Sequence, residues 1–116
     1  MDLHQKKFVN STSESESSAM NHAIDVDIIE SNEGLVLYFD LPGFMISDIK
    51  MLVSSDGILK INASREVSFS SLESALLSER LMGEFYKEVI LPKGLNLQKP
   101  ESTFENGVLK LVIPKL

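Results

Sequence analysis

After Asn21 the chain is written in short runs that alternate apolar and polar residues, each closed by a turn signal. Leu37, Phe39 and Leu41 alternate with Tyr38 and Asp40; Leu59, Ile61 and Ala63 alternate with Lys60 and Asn62; Leu109, Leu111 and Ile113 alternate with Lys110, Val112 and Pro114. Successive side chains of a strand point to opposite faces, so a period of two marks a strand with one face in a core and the other in water. Further strands are predicted at Asp25–Ile29, Ile49–Val53, Glu84–Leu91 and Ser102–Glu105. Asn32-Glu33-Gly34, Pro42-Gly43, Asp56-Gly57, Lys93-Gly94 and Asn106-Gly107 supply the turns between them. Asn106-Gly107 suits the positive φ angles of a tight hairpin. Seven or eight short strands joined by hairpins and longer connections predict an all-β fold, an immunoglobulin-like antiparallel β-sandwich.

Two stretches depart from this rhythm. Asn10 to Asn21 is rich in serine and glutamate and has no apolar periodicity. It cannot bury enough surface to offset the entropy of ordering, so residues 1–22 are predicted to be a disordered arm and residues 23–116 one folded domain. The arm reads as a solvated tail, with its Ser-x-Glu repeats as candidate phosphorylation sites. From Ser70 to Met82, Leu72, Leu76 and Leu77 fall at helical spacing, with Ser70 or Ser71 as an N-cap. A short helix and a long loop carrying an extra strand both fit that stretch.

Composition removes most chemistry. At 116 residues, 43% hydrophobic and 24% charged, the chain suits a single globular domain. No apolar run approaches the ~18–20 residues of a membrane span. The opening residues lack the apolar core of a signal peptide, and a cytoplasmic protein with no membrane partner is expected. The absence of cysteine excludes disulfides, thiolate catalysis and zinc–thiolate sites. His4 and His22 are the only imidazoles, and neither lies in a predicted strand. A net charge of −6 argues against a nucleic-acid partner, whose phosphates call for clustered Lys and Arg. No phosphate-binding glycine loop occurs, and no base is placed to activate a serine. The carboxylate pairs Glu14/Glu16 and Asp25/Asp27 read as solvated faces, and no calcium loop is present. The expectation is a protein with no catalytic residues, no cofactor and no metal.

Several segments, taken in order, carry a resemblance. Asp40-Leu41-Pro42-Gly43-Phe44 is followed by Asp48-Ile49-Lys50 and Asp56-Gly57-Ile58-Leu59-Lys60-Ile61. Gly83-Glu84-Phe85-Tyr86-Lys87 leads into Leu91-Pro92, and Asn106-Gly107-Val108-Leu109-Lys110-Leu111-Val112-Ile113-Pro114-Lys115 closes the series. Their order and spacing from Ala23 to Lys115 resemble the α-crystallin domain of the small heat-shock protein family. The resemblance implies an ATP-independent holdase that binds partly unfolded proteins under stress and suppresses their aggregation.

The resemblance also implies where binding happens. The strands Ile49–Val53 and Ser102–Glu105 would line a cleft for apolar peptide segments, with Met51, Val53, Ser102 and Phe104 as candidates. These side chains pointing into the core is the competing reading. Arg65 to Met82 is similar to the long loop through which bacterial and plant members exchange a strand, which implies a homodimer. Val67, Ser68 and Phe69 would form the exchanged strand, and Lys87 would stand at the interface where the family usually has arginine. A lysine there keeps the charge but loses the bidentate fork. The sequence ends at Leu116 without the family's Ile-x-Ile extension, and the arm is short and polar, so a dimer or small oligomer is expected. Two other functions share the sandwich: a co-chaperone adaptor, and a dimerisation module with little holdase activity.

Overall fold

A computed structural model describes residues 21–66 and 74–116. Eight strands follow one another: β1 (Asn21–Ala23), β2 (Val26–Ser31), β3 (Gly34–Asp40), β4 (Ile49–Val53), β5 (Ile58–Arg65), β6 (Gly83–Ile90), β7 (Glu101–Glu105) and β8 (Val108–Pro114). They make two four-stranded sheets, ordered β1-β6-β5-β4 and β2-β3-β8-β7. The fold is an all-β sandwich, as the alternating runs predict. The seven predicted strands match β2 to β8.

The alternation becomes a core through register. On one sheet Leu35, Leu37 and Phe39 sit opposite Ile113, Leu111 and Leu109. On the other Leu59 and Ala63 sit opposite Val89 and Phe85. All of these side chains are buried, together with Ile61, and they form one apolar cluster between the sheets. Each large one contributes about 1.5–3 kcal/mol by leaving water. Ile24, Leu41, Phe44 and Leu91 cover the ends of the cluster where strands enter and leave it.

Two turns that lie far apart in sequence meet. Asn106 and Gly107 have φ of 53° and 78°, the left-handed pair that a two-residue hairpin needs between β7 and β8. A Cβ on Gly107 would approach the Cα of Pro42 to 3.0 Å, and the Leu41 amide donates to the Gly107 carbonyl at 2.7 Å. The Asp-Leu-Pro-Gly turn after β3 is thereby docked on the Asn-Gly turn before β8. Downstream of the first turn, the Met45 amide donates to the Asp48 carboxylate at 3.0 Å and the Asp48 amide to the Met45 carbonyl at 2.9 Å. The resulting 3-10 turn, Ile46–Asp48, delivers the chain into β4.

The structure corrects one expectation at the start of the described chain. His22 lies in a strand: Asn21, His22 and Ala23 pair in parallel with Glu84, Phe85 and Tyr86. Asn21 and His22 belong to the stretch predicted as arm. Three residues are too few for an alternation to register, and their pairing depends on β6, some sixty positions away. In Ser70–Met82, residues 74–82 adopt neither helix nor strand, with Leu76 fully exposed and Leu77 and Leu81 largely so. Leu72 and the N-cap candidates Ser70 and Ser71 lie outside the described residues. Val67, Ser68 and Phe69 lie outside the described residues.

Candidate functional site

The two sheets are stacked in a known sense. Only Ile24 and Asp25 separate β1 from β2, so these two edge strands lie on the same side of the sandwich. Counting inward from that side, β6 faces β3, β5 faces β8, and β4 comes opposite β7. Among the described strands β4 pairs only with β5, and β7 only with β8. Each thus presents one row of backbone groups without a strand partner, on the same flank of the molecule.

Met51 and Val53 stand opposite Ile61 and Leu59, so they point toward the interior. Both stay half-buried and pack against the core cluster. Phe104, opposite Leu109 on β7, has the same partial burial and the same packing. Ser102 shares that face but is exposed, at the rim. Met51, Val53 and Phe104 thus pack against the core cluster while staying partly exposed. Sequence reasoning left out Ile49, Leu95 and Leu97, which are half-buried against the same cluster. Ile49 could have been found from its i, i+2, i+4 spacing with Met51 and Val53. Leu95 and Leu97 lie in the connection leading into β7, and no strand pattern singles them out.

Lys87 sits on the opposite flank. It faces inward on β6 between Phe85 and Val89 and is 9% exposed. Burial pushes its pKa below the ordinary lysine value, and the Asp25 carboxylate pulls it partly back up. It lines a cleft of about 530 Å³ together with Asp25, Val26, Asp27, Ile28, Tyr38 and Asp40. The structure therefore separates Lys87 from the four cleft candidates and places it beside β2, an edge strand among the described residues.

A third cluster secures the two ends of the long loop. Arg65 closes β5, and its Nη2 donates to the Pro42 carbonyl while Nη1 donates to the Leu81 carbonyl at 3.4 Å. Its guanidinium lies 4.3 Å from the ring centre of Phe44 and 5.4 Å from that of Phe85, within cation–π range. The two rings meet edge to face at 5.1 Å. His22 packs on Phe85 at 4.8 Å and its Nε2 lies 2.8 Å from the Met82 carbonyl. A carbonyl only accepts, so Nε2 carries the proton. Among the described residues, no group of three or more His, Cys, Asp or Glu side chains is arranged to hold a metal, and no helix is long and apolar enough to cross a membrane.

Among the described residues the chain is a two-layer strand sandwich, with β4 and β7 at the outer positions of its sheets on one flank and half-buried apolar side chains between them. A sequence model of the Hsp20/alpha crystallin family matches residues 27–116, and the chain belongs to that family. It is 32% identical over 102 residues to a 17.8 kDa class I heat shock protein of Arabidopsis thaliana. That match takes in 87% of this chain and 64% of the relative, so the chain spans less than two thirds of the relative's length. Among solved structures, a small heat-shock protein of Xylella fastidiosa superposes with a TM-score of 0.70 at 34% identity, over 79% of this chain and 84% of that one. HspA of Xanthomonas axonopodis gives a TM-score of 0.67 at 37% identity, over 80% and 93%.

Proposed function

We propose that the chain is an ATP-independent holdase, a binding protein without catalysis, that captures apolar extended segments of partly unfolded proteins along the seam between β4 and β7. The observation that carries this reading is the row of half-buried apolar side chains, Ile49, Met51, Val53 and Phe104, between two strands that each have one partner among the described strands. An extended segment added to such an edge gains backbone hydrogen bonds, while its alternate side chains enter the seam. Two aliphatic anchors contribute about 3–6 kcal/mol gross, at ~1.5–3 each. Much of that is offset by ordering the captured segment, so binding is weak per site and reversible. Reversible capture is what a holdase requires.

The same reading makes the working unit a homodimer. The strand Val67–Phe69 would be given to a second copy, and Lys87 and the neighbouring edge of β2 would receive it. Support comes from the exposed apolar side chains Leu76, Leu77 and Leu81, which a partner would cover. The same reading places its work in the cytoplasm.

Light scattering of a heat-aggregating client, with and without stoichiometric protein, tests the proposal. Suppression by the unaltered chain is expected, with at least several-fold loss in Met51→Asp, whose fold is checked by circular dichroism. Unchanged aggregation in the presence of excess unaltered protein would remove the holdase reading.

A further inference from the structure

Arg65 and Arg80 converge on the turn at Pro42-Gly43. A first side-chain carbon on Gly43 would lie 3.4 Å from Nη2 of Arg65 and 3.4 Å from Nη2 of Arg80, so the two nitrogens are no more than twice that distance apart. Gly43 holds φ at 80°, a conformation other residues rarely adopt, and the turn itself keeps this space clear. The hydrogen bonds of Arg65 go to two neutral carbonyls, of Pro42 and Leu81, and its Nε is buried without a partner. Among the described residues neither arginine is paired with a carboxylate. Burial and then the charge of Arg80 lower the pKa of Arg65 from its usual value, as two like charges held close together do. In a chain with 17 acidic and 11 basic residues, such a pair is out of keeping with its surroundings.

We propose that Arg65 and Arg80, above Gly43, form a binding site for a tetrahedral dianionic oxyanion of the phosphate class, either free or carried as a phosphoryl group. Two guanidinium charges match one dianion, whereas a single carboxylate would leave one charge unbalanced. Charge-assisted hydrogen bonds of about 2.7–2.9 Å at either end of one oxyanion edge span the separation of the two nitrogens. Arg65 is held rigid by its carbonyl acceptors and by Phe44, which removes most of the ordering cost on that side. Arg80 is exposed and free to close over the ion. An affinity of roughly millimolar order follows for an open site with two charged donors. This site lies apart from the β4–β7 seam and does not depend on the holdase reading.

The test is a titration of the full chain with inorganic phosphate, followed by the amide resonances of Gly43, Phe44 and Arg80, with sodium chloride at matched ionic strength as the control. Saturable shifts with phosphate alone are expected, and Arg80→Gln should weaken the binding roughly tenfold, the loss of one charge-assisted contact. The unchanged spectrum of the distant strands verifies the fold of the variant. Phosphoserine forms a second arm: saturation by both ligands assigns the site to phosphoryl groups, and saturation by phosphate alone assigns it to the free ion. Shifts that grow linearly and equally with chloride mean ionic screening only and overturn the proposal. So does an Arg80→Gln variant that titrates like the unaltered chain.

Discussion

Arg65 joins three pieces of chain that are remote in sequence. It bonds the turn after β3 through Pro42, the end of the long loop through Leu81, and rests on rings from the turn and from β6. Replacing it with methionine keeps the apolar stem and removes the donors. The expected loss is about 1–3 kcal/mol, from two hydrogen bonds and a cation–π contact, read as a lower urea midpoint at unchanged slope. Lys87 makes a different prediction, in pH. Its folded-state pKa lies below the unfolded value, so between the two the unfolded chain binds more protons. The cost of burying the ammonium is fully present below the folded value and fades as pH rises toward the ordinary lysine value. The unfolding free energy of the unaltered chain, minus that of Lys87→Met, should therefore increase from neutral pH through the alkaline range. A flat difference would mean that Lys87 titrates normally. Neither role could be read from the sequence by physics alone. Arg65 depends on carbonyls 16 and 23 positions away, and Lys87 occupies an inward position in a strand whose neighbours on that face are apolar.

At the level of strands and turns, local chemistry and long-range packing agree. Each run with a period of two became a strand because its apolar face found another apolar face across the sandwich. Leu37, Phe39, Leu59, Ile61, Leu109, Leu111 and Ile113 are all buried, as their alternation predicts. The Asn106-Gly107 hairpin adds a second requirement, since the glycine also touches Pro42. Gly107→Ala should therefore cost about 1–3 kcal/mol, from strain at positive φ and from the crowded approach to the other turn. Thermal unfolding would measure it, and a loss within a few tenths would show that the turns separate easily. Elements without a strong local pattern were not legible. β1 is three residues long and exists because β6 offers it an edge. Leu76 and Leu77 belong to a run at helical spacing with Leu72, yet residues 74–82 form no helix and both leucines stay exposed, and periodicity without a buried face does not make a helix.

The assembled protein has two flanks with different characters. One carries the apolar seam between β4 and β7; the other carries β2, Lys87 and the acidic cleft. If the second flank receives a strand from another copy, Phe69→Asp should shift the mass measured by light scattering during size exclusion from dimer toward monomer. An unchanged mass would assign self-association to some other surface. The amino-acid order was sufficient to determine the strands, the turns and the inward residues, because alternation and turn chemistry act within a few positions of each other. The motifs from Asp40-Leu41-Pro42-Gly43 to Ile113-Pro114-Lys115 were sufficient for the family. Folding in three dimensions settled which strands stand at the sheet edges among the described residues, that Met51, Val53 and Phe104 stop halfway into the core, and that Arg65 and Arg80 meet over Gly43. Those outcomes depend on how two sheets stack and which ends of the chain come together, and no local run of residues encodes a distance between segments that far apart.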